Sequence, residues 1–202
     1  MSYYANSQSY INPNHLDFFK FIGKMVGKAI FDGQLLECFF ARSLYKMMIG
    51  EELCFEDLSD MDNDCWKNLR WYLFNEVNDL GQFFAVTREY FGHHQEIELK
   101  ENGSNIAVND DNKVEFVEKF AFHKMYNDVK PQIDAFLGGF HDVIGKDLIR
   151  IFNAKELELI ISGLPNFDVV DLKANTRVSG YSMESSQIIW LFEVIESFEK
   201  SE

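Results

Sequence analysis

The stretch that most restricts what this chain can become runs from Asn12 to Gly50, NPNHLDFFKFIGKMVGKAIFDGQLLECFFARSLYKMMIG. Asn12 before Pro13 is a helix-start pair, since Asn accepts free amide protons and Pro suits the first helical position. Beyond it Phe18, Ile22, Met25, Val26 and Ala29 recur on one helical face and Asp17, Lys20, Lys24 and Lys28 on another, which predicts a core side and a wet side. Gly23 and Gly27 stand inside this helix, four apart. Each costs about 1 kcal/mol of helix propensity relative to Ala, so a neighbour packed too closely for side chains is the expected reason for them. Asp32-Gly33 supplies a turn. A second helix, with Leu36, Phe40, Leu44 and Met47 or Met48 on one stripe and Leu35 and Phe39 beside it, is expected to stop at Gly50. The two helices are read as an antiparallel core pair.

With 202 residues and 47% hydrophobic content, the chain can bury a real core, as one large domain or two small subdomains. The formal charge of −14 repels a phosphate backbone over most of the surface, which argues against nucleic acid as a partner. Seven acids fall between Glu51 and Asp64 (Glu51, Glu52, Glu56, Asp57, Asp60, Asp62, Asp64) with no Lys or Arg among them. Such a run either keeps a loop solvated or suits a basic protein partner, and the solvated loop is the plainer reading. No stretch reaches the apolar length of a membrane span, and the N-terminus lacks the pattern of a signal peptide. Three cysteines, Cys38, Cys54 and Cys65, suggest neither a disulfide framework nor a thiolate zinc site, and fit a reduced, intracellular protein.

Cys65 to Asn75 reads as a third helix on which Trp66, Leu69, Trp71, Tyr72, Leu73 and Phe74 cannot all face one core, so some aromatic surface must be exposed or covered by a partner. Glu96 to Leu99 and Asn105 to Val108 alternate across Glu101-Asn102-Gly103, the pattern of a small β-hairpin. From Asp111 to Met125, Phe116 and Phe120 define one stripe and Val117 and Ala121 another, again more apolar surface than one seam needs. Helices are expected over Val129 to Val143, Ala154 to Ser162, Val169 to Asn175 and Glu184 to Phe198. No internal repeat interrupts this order.

A catalytic constellation does not emerge. The cysteines read as buried structural residues, although Cys65 at a helix start leaves room for a lowered thiol pKa. His93-His94 has no further ligand pattern and reads as part of a surface loop. Glu156 and Glu158, two apart on a helix, diverge rather than form a carboxylate pair. Phosphate-binding glycine loops and the G-x-S-x-G nucleophile motif are absent from the sequence.

Four blocks together resemble the N-terminal lobe of HECT-type ubiquitin-protein ligases: Asn12 to Gly50, NLRWYL at Asn68 to Leu73, ELKENGSNIAVNDDNKVEFV at Glu98 to Val117, and Phe152 to Tyr181 followed by QIIW at Gln187 to Trp190. Within the last block, Ser162 to Thr176 looks closest to the very large ligases that bear ubiquitin-associated and WWE modules. Trp190 matches the family aromatic, while Leu191 and Phe192 replace what is often Phe-Trp.

The resemblance implies an α+β, predominantly helical fold. Residues 1–52 and 123–202 would form a large helical subdomain, and residues 53–122 a small inserted one. By matched position, Leu69, Tyr72, Phe83, Phe84, Phe116 and Phe120 would form an apolar groove receiving a ubiquitin-conjugating enzyme, in both places where periodicity leaves surplus aromatics. Family chemistry runs through a cysteine in a T-C-F context on a C-terminal lobe, and that motif does not occur in these 202 residues. The expected role is therefore a recruiting module: ubiquitin would pass from the conjugating enzyme's thioester to the C-lobe cysteine and then to a substrate lysine. No metal or organic cofactor, nucleic acid or membrane is implied, and the setting would be cytoplasmic or nuclear. The competing expectation is a non-catalytic helical scaffold whose aromatics are all internal; burial of Tyr72, Phe116 and Phe120 in one core would remove the basis for docking.

Overall fold

In a computed structural model, residues 2–78, 80–90, 93–163 and 169–199 are described. Among the described residues the chain is predominantly helical with one two-stranded sheet: α1 (His15–Asp32), α2 (Arg42–Ile49), α3 (Asn63–Phe74), β1 (Ala85–Tyr90), β2 (His93–Glu98), α4 (Lys113–Met125), α5 (Lys130–His141), α6 (Lys146–Ile149), α7 (Ala154–Ser162), α8 (Val169–Asn175) and α9 (Ser186–Glu199). It divides into two compact units, Met1–Gly163 and Leu164–Glu202.

In the first unit, the glycines of α1 meet their reason. A Cβ on Gly23 would lie 2.0 Å from the Phe136 carbonyl oxygen, and one on Gly139 of α5 would lie 1.9 Å from that of Lys20. The partner of α1 is thus α5, not α2 as the sequence suggests: backbones meet only where side chains are absent, and α5 offers the matching glycine. This contact also turns the buried face of α1. Gly23, Val26, Gly27 and Ala29 are buried, whereas Phe18, Ile22 and Met25, expected in the core, are exposed. On the wet flank, Lys20 and Lys24 reach Asp142 at 3.5 and 3.3 Å.

The start of α2 shifts furthest, while α1, α3, α4, α5 and α9 differ from their expected limits by one or two residues at one or both ends. Asn12 ends a 3₁₀ turn, Ser7–Ile11, and α1 starts at His15 rather than just after Pro13. Residues 34–41, expected to be helical, are not helical, and several of their backbone groups bond to other segments: Tyr3 N–H donates to Phe39 O, Leu36 N–H to Ile161 O, and Phe40 N–H to the buried Tyr45 hydroxyl. Left-handed Gly33 and Gly50 close α1 and α2 where the sequence places the stops.

Two hydrophobic clusters fill this unit. One joins Val26, Phe40, Leu44, Tyr45, Met48, Ile133, Phe136, Phe140, Leu157 and Ile161. The other joins Leu58, Leu69, Val77, Phe84, Val108, Phe116, Val117, Ala121 and Met125. The hairpin that borders the second is β1 with β2, antiparallel from Ala85↔Glu98 to Tyr90↔His93. Residues 105–108 do not pair with 96–99 as expected. Asn102 sits at φ 56, Gly103–Asn105 forms a 3₁₀ turn, and residue Ala107 bridges Phe83 instead. Both predicted strand segments are extended at their paired residues, but the chain before β1 separates them. His93 and His94 accordingly lie on β2 and not in a surface loop.

The second unit packs α8 on α9, burying Val169 and Phe192, with the Lys173 ammonium 5.4 Å from the centre of the Phe192 ring. Trp190 is exposed on α9. Residues 164–168, within the Ser162 to Thr176 block, lie outside the described residues.

Candidate functional site

The groove between α3 and α4 arises from two helical stripes. Cys65, Asn68, Leu69 and Tyr72 follow the i, i+3, i+4, i+7 spacing on α3, and Phe116, Phe120 and Lys124 the i, i+4, i+8 spacing on α4. With Asp62 and Gln82, these side chains line an open cavity of about 400 Å³. Asp62 starts α3 by accepting the Cys65 N–H at 2.9 Å, and its carboxylate lies 3.8 Å from Lys124 Nζ across the mouth.

The six residues singled out from sequence take different places. Leu69 and Phe116 are 4% and 2% exposed and make the floor. Tyr72 and Phe120 are half-buried and make the walls, their rings 5.6 and 5.8 Å from that of Phe116. Phe84 is fully buried beneath, edge-on to Phe116 at 5.5 Å, with the Lys100 ammonium 3.7 Å from its ring centre. Phe83, one step along an extended segment, points the other way, is 41% exposed, and is not in the lining. Four of the six therefore meet in one groove; Phe84 supports it from below and Phe83 stands apart. The burial of Phe116 alone leaves Tyr72 and Phe120 as accessible aromatic surface, continued on α3 by exposed Trp71 and Phe74.

Asp62, Cys65, Asn68, Gln82 and Lys124 are not among the groove residues expected from the sequence. The helical spacing to Tyr72 and Phe120 carries the signal for Cys65, Asn68 and Lys124; Gln82 comes from a loop whose path no local pattern encodes.

Nucleophilic chemistry finds little support here. Burial, reinforced by the Asp62 carboxylate and opposed by Lys124, pushes the Cys65 thiol up, the reverse of the lowering that a helix start suggests. Burial also raises Cys38. Cys54 is exposed rather than buried; its S–H donates to Asp57 at 3.1 Å, and Lys46 Nζ approaches its sulfur at 3.4 Å. Among the described residues no group of three His, Cys, Asp or Glu side chains is placed to hold a metal ion, and no helix is long and apolar enough to cross a membrane.

Comparison with known proteins accounts for the whole chain. A family model described as HECT-domain (ubiquitin-transferase) matches residues 1–202. An E3 ubiquitin-protein ligase TOM1-like of Neurospora crassa is 45% identical over 202 residues, all of this chain and 5% of that protein. E3 ubiquitin-protein ligase HACE1 of Danio rerio is 41% identical over 204 residues, covering all of this chain and 23% of its own length, and E3 ubiquitin-protein ligase HUWE1 of Mus musculus is 41% identical with 5% of its length covered. The chain thus spans a small part of each relative. With a match that runs from its first residue to its last, it belongs to the HECT-domain (ubiquitin-transferase) family.

Proposed function

We propose that this chain is the recruiting part of a HECT ubiquitin-protein ligase and that the α3–α4 groove docks a ubiquitin-conjugating enzyme. The observation that carries the reading is the pairing of accessible Tyr72 and Phe120 walls with a buried Leu69 and Phe116 floor. Aromatic anchors held over a packed floor lose little conformational freedom on binding and commonly dominate interface energetics. In the whole protein, ubiquitin passes from the conjugating enzyme's thioester to a cysteine on a C-terminal lobe and then to a substrate lysine. Residues 53–122 serve as the docking subdomain, and residues 1–52 and 123–202 as the large helical one. The second hydrophobic cluster, which apart from Met125 is drawn from within residues 53–122, supports that division. The proposed setting is cytoplasmic or nuclear.

The test is affinity, measured by calorimetry against a panel of ubiquitin-conjugating enzymes. Tyr72→Ala and Phe120→Ala each weaken binding about tenfold or more while the fold is kept. Unchanged affinity in both variants, or no binding by any member of the panel, would remove the docking role and leave a helical scaffold.

A further inference from the structure

The helix α4 carries a second apolar face. Val114, Val117, Glu118 and Phe122 look away from the α3–α4 groove into a depression of about 720 Å³ whose other wall is residues Leu53, Cys54, Phe55 and Glu56. A cavity of about 510 Å³, lined in part by Met47, Glu51 and Glu52, shares Leu53 and Phe122 with it, so the two form one trough. The centre of the trough is apolar, and Phe122 is 43% exposed there. Its margin carries four exposed acids, Glu51, Glu52, Glu56 and Glu118, against one lining cation, Lys119. None of the four is in an ion pair among the described residues, since the neighbouring cations are engaged elsewhere, Arg42 and Lys46 by Asp57 and Lys119 by Glu115.

We propose that this trough receives a basic amphipathic segment of a partner protein, with a large apolar side chain seated against Phe122 and Leu53 and Lys or Arg side chains meeting the four glutamates. Uncompensated carboxylates around an exposed aromatic reward a ligand that brings both features at once, and repel nucleic acid and anionic membrane surfaces. A helix laid into a groove presents that arrangement at its natural spacing. The trough lies on the other face of α4 from Tyr72 and Phe120, so this proposal does not depend on docking at the α3–α4 groove.

The probe is a synthetic helical peptide with Leu on one face and Lys on the other, titrated into the whole chain and followed by NMR. Two peptides of equal length, one Leu/Glu and one Ser/Lys, are its controls. Saturable shifts centred on Leu53, Glu118 and Phe122 are expected with the Leu/Lys peptide alone. The combined Glu52→Gln, Glu56→Gln, Glu118→Gln variant binds about tenfold more weakly, and added salt weakens the wild type in the same direction. Phe122→Ala, at an exposed position, removes the shifts without unfolding the chain. Equal binding of the Ser/Lys peptide, shifts centred outside the trough, or no saturable shift would each overturn the proposal.

Discussion

Asp57 ties α2 to the acidic segment that follows it. It is the one buried member of the run from Glu51 to Asp64, and accepts the Cys54 N–H at 2.8 Å and Lys46 Nζ at 2.7 Å, with Arg42 Nε at 3.6 Å. Burial opposes its ionisation, but the Cys54 N–H, the Lys46 ammonium and the Cys54 thiol together outweigh burial and hold its carboxyl below the usual carboxylate range. A depressed carboxyl pKa stabilises the fold at neutral pH and loses that contribution as pH falls through the folded value. Asp57→Asn leaves the half-enclosed Lys46 without its counter-charge and should cost about 3 kcal/mol in urea unfolding at neutral pH. A loss within error of zero would contradict this. His123 is shifted in the same direction and has the same pH sign, although there the fold favours the neutral form. Burial lowers its pKa, with the Asp128 carboxylate opposing and Arg88 and Lys124 assisting. The unfolded chain then takes up a proton near pH about 6.5 that the folded chain refuses, so stability declines as pH drops below that value. His123→Gln should flatten this part of the stability curve, and a curve parallel to wild type would exclude His123 as its source.

At the scale of elements, the contact of α1 with α5 has the most exacting geometry. Gly139→Ala gains about 1 kcal/mol of helix propensity, but its methyl group meets the Lys20 carbonyl, which belongs to a helix backbone and cannot yield, at a cost of about 3 kcal/mol or more. A net loss of about 2 kcal/mol follows. Gly138→Ala, one residue away in open space, should instead stabilise by up to about 1 kcal/mol. Thermal unfolding of the two variants reads the difference, and equal effects would refute close backbone packing. Gly23 and Gly27 announce a tight neighbour in the sequence but not its identity, because α5 lies more than a hundred residues further on. Likewise the alternation at 96–99 and 105–108 reveals extended chain, yet pairing depends on residues 82–90, whose Phe83-Phe84 step carries no turn signal. Residues 35–40 have helical spacing and are nonetheless not helical, because Tyr3 and Ile161, far along the chain, and the nearby Tyr45 hydroxyl take part in their backbone hydrogen bonds. By contrast α7 and α8 match their sequence limits, and for α7 the signal is local, since the Asn153 side chain accepts the Glu156 N–H at its start.

For the molecule as a whole, family membership is legible in the joint order of four sequence blocks, while the candidate groove is legible only in part. Leu69, Tyr72, Phe116 and Phe120 announce themselves as surplus aromatic and apolar positions, because one helix face cannot bury so many. Which of them would be floor and which wall was not legible, since burial depends on how α3 and α4 cross. The formal charge of −14 bears on the same surface: binding at a groove walled by aromatics should depend weakly on salt, and binding at the acidic trough strongly. The measurement that addresses the central claim most directly is an NMR titration of the chain with a ubiquitin-conjugating enzyme, mapped residue by residue. Saturable shifts clustered on Cys65, Asn68, Tyr72, Phe120 and Lys124, and lost in folded Phe120→Ala, are the predicted result. Saturable shifts that leave α3 and α4 untouched, or that persist in Phe120→Ala, would contradict it.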